Sequence, residues 1–411
     1  MREAEFARVR RIPTDNLTAY DSVLRGIEAI GRFTKEAIAQ ARQMYERAIK
    51  LDPQYAEAYA LLGETYYLEW IFRWSADPQT LEHALELAQR AVTLDDSLPV
   101  AHAHLGMVYA QQQQYDQVIT QSERAIALDP NNANNYVLQA EVLSVVGRPE
   151  EALRSVEQAM RLNPRYPALY LIQAGWTYNM TGRYEEAITA LKTPLVQNPD
   201  FLAIHLFLAI SYLGQWHSQL SSDTRTLEQA SAAAQRVIAL NDANPVGHML
   251  LGYVYLSHKQ YEQAVTEMNR AIALDPTSAI CHAVLAETLG WMGKPEEAVQ
   301  MVEQALSRKP AVVDEHLGSI GAAYYLAGRP EEAIAPLKQY ITRYPNHLGP
   351  HLTLASAYSE LGKEAEARAE AAEVLRLNPN FSLEVGRQRS PLKDQARLEH
   401  ELAILRKVGL K

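Results

Sequence analysis

Residues 125–130 read Ala-Ile-Ala-Leu-Asp-Pro, and the same six residues return at 271–276. Such a repeat has to be followed along the whole chain before any single motif is weighed. Working outward from these strings, small-residue and proline landmarks divide the chain into ten units. They start near residues 19, 56, 99, 133, 168, 202, 245, 279, 314 and 348, mostly 34 or 35 residues apart. Within a unit, apolar residues recur at three- and four-residue spacing in two stretches, for example 101–110 and 115–128. That is the period of helices buried along one face, so each unit is predicted to be a helical hairpin.

The punctuation between stretches agrees. Gly147, Gly182, Gly293, Gly328 and Gly362 stand where a first helix must stop, and glycine enters the left-handed cap without a side-chain penalty. Pro149, Pro295 and Pro330 then open second helices, each followed by two glutamates. Proline wastes no donor in a first turn, and carboxylates there meet the positive end of the helix dipole. A longer period overlies the short one. Tyr66 to Ala84 and Tyr212 to Ala230 each span 18 residues where Tyr255 to Ala264 spans 9, so units 56–98 and 202–244 carry nine extra residues. Their starts lie 146 residues apart, as do Trp70 and Trp216 or Gly147 and Gly293, which marks a duplicated four-unit block. If helical, nine residues would add about 13 Å and make each long unit project. Asp77-Pro78 and Asp223-Thr224 are expected to restart the second helix.

These landmarks resemble the tetratricopeptide repeat, a helical hairpin marked by Leu-Gly, Tyr, Ala and Pro. In the third unit they are Leu105, Gly106, Tyr109, Tyr115, Ala125 and Pro130. In the seventh they are Leu251, Gly252, Tyr255, Tyr261, Ala264, Ala271 and Pro276. The resemblance covers residues 19–381 and implies an all-α fold: a right-handed α-solenoid superhelix of about ten hairpins. Residues 1–18 read as an entry segment or linker. Residues 382–411 read as a capping helix, with Leu392, Leu398, Leu402, Leu405 and Val408 as its apolar stripe. A lone hairpin is below the size of a self-sufficient core, so each unit borrows its neighbours' apolar faces.

The family's first helices line an inner groove with positions 2, 5, 9, 12 and 13 of each unit. Mapped here, the resemblance implies a partner-binding groove that includes Met107, Asn134, Glu141, Trp176, Asn179, Ile210, Met249, Tyr253, Glu287, Trp291 and Tyr325. Aromatic and Met anchors with a few acids suit a protein or peptide segment presenting apolar side chains and a basic residue. Trp70, Phe72, Trp74 and Trp216 form a second candidate, a docking ridge on the long units; against it stands packing of these rings on adjoining repeats.

Other chemistries find little support. A net charge of −10, from 49 acidic and 39 basic residues, argues against a phosphate-backbone partner. No apolar run reaches the roughly 18 residues of a membrane span. The single cysteine, Cys281, fits a reducing, cytoplasmic setting without disulfides. No Gly-rich phosphate loop, HExxH or CxxC occurs, so no cofactor and no catalysis are expected; Ser390 and Lys393 have SxxK spacing without its companion motifs. His102, His205, His248, His282 and His351 share the fourth position of five units, an orderly ladder. Units spaced by roughly 10 Å cannot bring these rings to one metal, so they are expected to pack.

The flanks, PTDNLTAYDSVLRG at 13–26 and LKDQARLEHELAILRKVGL at 392–410, resemble the carboxy-terminal repeat region of bacterial multidomain signalling proteins. Many of these carry a class III adenylate or guanylate cyclase domain upstream. The resemblance implies a non-catalytic regulatory scaffold, with Met1 as the start of a fragment or truncated relative and an upstream effector as one possible partner. The alternative is an assembly module that self-associates through the long aromatic units.

Overall fold

The computed structural model describes residues 14–32, 34–72, 74–75, 77–112, 114–223, 225–308 and 316–411. The entry segment is therefore seen from residue 14, and the expected start of the ninth unit, residue 314, lies outside the described residues, as does Thr224.

Among the described residues there are 22 helices and no strand, paired as successive hairpins. They are α1 (Leu17–Ile30), α2 (Lys35–Leu51), α3 (Ala56–Ile71), α4 (Thr80–Leu94), α5 (Pro99–Gln111), α6 (Tyr115–Leu128), α7 (Ala133–Val145), α8 (Pro149–Leu162), α9 (Ala168–Met180), α10 (Tyr184–Gln197) and α11 (Leu202–His217). There follow α12 (Thr226–Leu240), α13 (Pro245–Ser257), α14 (Tyr261–Leu274), α15 (Ala279–Trp291), α16 (Pro295–Arg308), α17 (Leu317–Leu326), α18 (Pro330–Arg343), α19 (Leu348–Glu360), α20 (Glu364–Leu377), α21 (Leu383–Arg389) and α22 (Gln395–Lys407). Odd-numbered members as far as α19 are first helices and their successors second helices. The chain forms an all-α tetratricopeptide solenoid whose contacts fall into two compact units, residues 1–173 and 174–411.

In the first unit, first helices touch in succession, α3 with α5 and α5 with α7, while each also packs on its own second helix. Ala60, Ala91 and Ala101 meet at one junction, and Ala133, Val137, Ala159 and Tyr170 at another. In the second unit, Met249, Met268, Cys281, Val284 and Leu285 belong to one core cluster. A larger cluster joins Leu337, Leu354 and Val374 to the carboxy-terminal Phe381, Leu383, Leu398, Leu402, Leu405 and Val408. Residues 382–411 thus seal the last hairpin, but as two helices, α21 and α22, rather than one.

Small residues set the spacing inside a hairpin. Ala152, Ala187, Ala264, Ala298 and Ala333 are completely buried. A Cβ on Gly252 would stand 2.9 Å from Met268 and 3.2 Å from the Ala264 carbonyl, so the Leu-Gly position is needed where α13 crosses α14. Gly147 has φ 73°, and its turn closes with Arg148 N–H donating to Leu143 O at 2.7 Å, the six-to-one bond of a left-handed helix end.

The nine extra residues of the long units do not build a long helical ridge. The first helices α3 and α11 have 16 residues where α13 has 13, and the following turns, 72–79 and 218–225, have eight where 258–260 has three. The ninth lengthens the second helix, 15 residues in α4 and α12 against 14 in α14. Three added helical residues amount to roughly 4.5 Å, not 13 Å. At the end of each turn Thr80 Oγ1 donates to Asp77 O at 2.7 Å, and Thr226 Oγ1 to Asp223 O at 2.7 Å. Asp77 and Asp223 do not cap the helices directly. Their carboxylates accept the backbone N–H of Gln79 and Arg225, two residues on, and so shape the turn before the helix.

Candidate interaction surface

In the first unit the adjacency of α3, α5 and α7 lines up side chains of positions 9, 12 and 13. Tyr67 donates to Glu141 at 2.8 Å, and Gln111 Nε2 donates to the Tyr67 hydroxyl at 3.4 Å, so three hairpins share one chain of hydrogen bonds. Burial pushes the Glu141 carboxyl up from its ordinary 4.5 to about 7, an effect the Tyr67 bond reduces and the neighbouring Glu64 augments. Glu64 is itself raised by burial, less so for lying 3.9 Å from His104 Nε2. The other ring nitrogen of His104 faces the Ala60 carbonyl at 3.1 Å. Asn134 is exposed and accepts the Tyr170 hydroxyl at 2.6 Å, whereas Met107 is buried.

The second unit builds a comparable row. Trp176 lies parallel to Phe207 with centroids 5.9 Å apart, and half-buried Ile210 stands one turn further along α11. Tyr253 donates to Glu287 at 2.9 Å and exchanges a hydrogen bond with Ser319 at 3.2 Å, while Trp291 Nε1 donates to the other Glu287 oxygen at 3.3 Å. Burial raises Glu287, opposed by its bonds to Ser319, Tyr253 and Trp291. Asn179, Met249 and Tyr325 are buried. Asn179 bonds the Phe207 carbonyl and accepts from Ser211, and the Tyr325 hydroxyl donates to Glu401 at 2.5 Å with Glu360 also within reach at 3.1 Å. Trp176, Ile210, Tyr253, Glu287 and Trp291 remain half-buried and reachable from solvent.

The long-unit turns differ in their surroundings. Phe72 and Trp74 stack at 4.8 Å in the first unit, and Trp70 beside them is half-buried. In the second unit the carboxy-terminal segment crosses the turns. Arg389 lies 4.1 Å over the Trp216 ring and donates to the carbonyls of Trp216 at 2.7 Å and Ser221 at 2.8 Å. Asn378 Nδ2 donates to Ser218 O at 2.9 Å and to Gln219 O at 3.2 Å, and the Gln219 side chain accepts Ser382 N–H at 3.0 Å. The segment continues past Pro391, whose carbonyl accepts the Tyr261 hydroxyl, to Lys393, whose N–H donates to Trp291 O. Trp216 is therefore packed in cis by its own chain.

The histidine ladder has a structural role. His102, His205, His248 and His351 each direct Nε2 at the carbonyl six residues earlier, those of Asp96, Pro199, Asp242 and Pro345. Three turn Nδ1 to the second helix of the same hairpin, at Gln121, Glu267 and Glu370. His282 Nδ1 bonds the Ser278 carbonyl beside buried Cys281. Among the described residues no group of three His, Cys, Asp or Glu side chains is placed to hold a metal, and no helix is long and apolar enough to cross a membrane.

Glu64, Tyr67, Gln111 and Ser319 belong to the surface but escaped sequence reasoning. The signal was present for three of them, since Gln111 is the thirteenth residue of the unit starting at 99, and Glu64 and Tyr67 are the ninth and twelfth of the unit starting at 56. The extension of that unit drew attention to its tryptophans instead.

Family models described as tetratricopeptide repeat match residues 100–132, 146–215, 285–347 and 324–385, and a TPR repeat model matches 32–68. A model described as anaphase-promoting complex, cyclosome, subunit 3 matches 223–305. A protein of Rhizobium meliloti (strain 1021) that carries an adenylate cyclase name is 34% identical over 100 residues, 24% of this chain and 17% of that protein. Transcriptional regulator HilA of Salmonella paratyphi A (strain ATCC 9150 / SARB42) is 24% identical over 158 residues, 38% of this chain and 29% of that protein. The matches therefore span under a third of either relative. Human IFIT1, solved as a dimer with m7Gppp-AAAA, aligns with a TM-score of 0.55 at 15% identity over 92% of this chain and 84% of its own, a likeness of fold. The repeat matches, the paired helices and the spacing of glycine and alanine at their crossings agree: the chain is a tetratricopeptide-repeat array.

Proposed function

We propose that the chain is a non-catalytic scaffold that holds a segment of a partner protein along its first-helix rows. The observation that carries this is the row Trp176, Ile210, Tyr253, Glu287 and Trp291. Its aromatic faces are half-buried, and its carboxylate is already oriented by Tyr253 and Trp291. Rigid aromatic anchors supply contact area at low entropic cost, and a preoriented carboxylate favours a basic side chain over a phosphate. The net charge of −10 points the same way.

We further propose that the scaffold serves a bacterial signalling protein, recruiting or restraining an effector. The support is that two relatives named for cyclase and transcriptional activity match this array over a small part of their length. Selection of a displayed peptide library on the full chain tests the binding reading. The enriched peptides should carry apolar residues with a Lys or Arg, and Trp176→Ala should weaken them about tenfold. Peptides indifferent to both Trp176→Ala and Tyr253→Ala would refute it.

A further inference from the structure

The four-unit duplication has left two versions of one helix crossing, and only the first is lined with polar groups. In the first unit α6, α7 and α8 surround a cavity of about 250 Å³ bordered by Ser122, Gln139 and Ser155. The residues 146 positions on are Met268, Leu285 and Met301, carried by α14, α15 and α16. There Met268 and Leu285 are buried in one core cluster, and Met301 packs against it. Ile119 and Leu143, also in the cavity lining, keep apolar counterparts in Val265 and Leu289 of that same cluster. The crossing can therefore be built as solid core. Replacing three large apolar side chains by two hydroxyls and a carboxamide gives up buried area and opens space, a cost that the hairpins themselves do not require.

Charge differs in the same place. Glu123 on α6 and Arg154 on α8 stand at the rim, where the second unit has Asn269 and Gln300. Both are exposed, and among the described residues neither is in an ion pair. The other two charges of the lining, Arg148 and Glu151, pair with each other as Lys294 and Glu297 do in the second unit, so that pair belongs to the turn in both copies. Deeper in, Ser155 donates to Gln139 Oε1 at 2.8 Å and Ser122 to the Ile119 carbonyl at 3.0 Å. Among the described residues the Gln139 amide protons stay free, as do lone pairs of both buried hydroxyls.

We propose that this cavity binds a free α-amino acid with a carboxamide or hydroxyl side chain. The α-carboxylate meets the Arg154 guanidinium, the α-ammonium meets Glu123, and the side chain reaches Gln139, Ser122 and Ser155. A guanidinium offers a carboxylate two parallel donors, and the inner groups supply both the donors and the acceptors that an amide or hydroxyl needs. One rim charge of each sign disfavours a dicarboxylate or a diamine, either of which would set a like charge against Glu123 or Arg154. The volume is that of about eight waters, room for a molecule of glutamine size. The site goes beyond the proposed scaffold role and shares no residue with the Trp176 row.

The test is calorimetric titration of the full chain with L-glutamine, L-asparagine and L-serine. Saturable, equimolar binding of at least one is expected, with glutarate and 1,4-diaminobutane silent. Arg154→Gln and Glu123→Asn, which copy the second unit at exposed positions, should each weaken it about tenfold. Ser155→Met, which fills the space as Met301 does, should abolish it. If Ser155→Met lowers the melting temperature, the two exposed substitutions still decide. No saturable binding of any of the three amino acids, or binding that ignores Arg154→Gln or Glu123→Asn, overturns the proposal. Glutarate binding as tightly as glutamine overturns it too, since the ligand would then be a dicarboxylate. Trp176→Ala should leave amino-acid binding unchanged and Arg154→Gln should leave peptide binding to the row unchanged, so failure of this proposal is separable from failure of the proposed function.

Discussion

The Tyr67 hydroxyl donates to the Glu141 carboxylate at 2.8 Å although 74 residues separate them. The duplicated Glu287, 146 residues on, also accepts a tyrosine hydroxyl, from Tyr253 at 2.9 Å, but there the donor lies one hairpin away instead of two. Repeats in a solenoid ordinarily touch only their neighbours, and the Tyr67 side chain reaches past the intervening hairpin, whose Gln111 donates to its hydroxyl at 3.4 Å.

Burial holds Glu141 at about 7, above its ordinary 4.5, so the folded chain keeps a proton that the unfolded chain has lost. Stability from this group therefore falls as pH rises from about 4.5 through 7. Glu141→Gln keeps the Tyr67 acceptor and removes the charge. It should flatten that part of the stability curve and raise the denaturation midpoint at pH 8 relative to the parent. Unchanged midpoints at pH 5 and pH 8 alike would count against it.

His347 and His351, one helical turn apart, should titrate in opposite directions. Burial lowers His347 to about 4, against the raising effect of its bonds to the Asn179 and Met180 backbone, and the nearby His351 charge lowers it further. For His351 burial also acts downward, but the Glu370 carboxylate at 2.6 Å and the Pro345 carbonyl outweigh it and raise the pKa. His347 thus contributes stability that is lost as pH falls from 6.5 toward 4, and His351 stability that is lost as pH rises above 6.5. Imidazole NMR titration should show His351 protonated beyond 6.5 and His347 neutral down to about 4. Coincident titrations near 6.5 would contradict both assignments.

Ala264 is completely buried where α13 crosses α14, with its carbonyl 3.2 Å from the place a Cβ on Gly252 would take. Ala264→Leu should cost about 1–3 kcal/mol by overpacking, read as a lowered denaturation midpoint. An unaltered midpoint would mean that the crossing tolerates volume.

Lys259 has φ 60° at the turn position that Gly293 and Gly328 occupy in the next two hairpins. Its N–H and that of Gln260 close the end of α13 on Leu256 O and Tyr255 O, so the left-handed backbone is held by two bonds. Lys259→Gly should stabilise the chain by about 1 kcal/mol by relieving this conformation. Destabilisation would show that the lysine side chain outweighs the strain.

The hairpins were legible because their signals are local. Gly147 and Pro149 mark one turn, and the buried face of α8 follows within a few residues. The rows were half legible: position numbering found Glu141, Tyr253 and Glu287, and passed over Tyr67 because its unit is stretched. Arg389 on Trp216 was not legible. It joins residues 173 apart, and no local pattern specifies which turn a terminal segment will cross. The length of the ridge was misjudged for a related reason, since Ser75 and Thr80 look like ordinary polar loop residues until their mutual bond is seen.

Site-specific photocrosslinking tests the scaffold reading most directly. A photoreactive residue at Ile210, on the first-helix row, is compared with one at Asn269, on the exposed face of α14, using the full chain and a library-selected peptide. The account predicts capture from position 210 and none from 269, suppressed by excess unlabelled peptide. Capture from 269 alone, or a library from which no peptide is enriched, would contradict it.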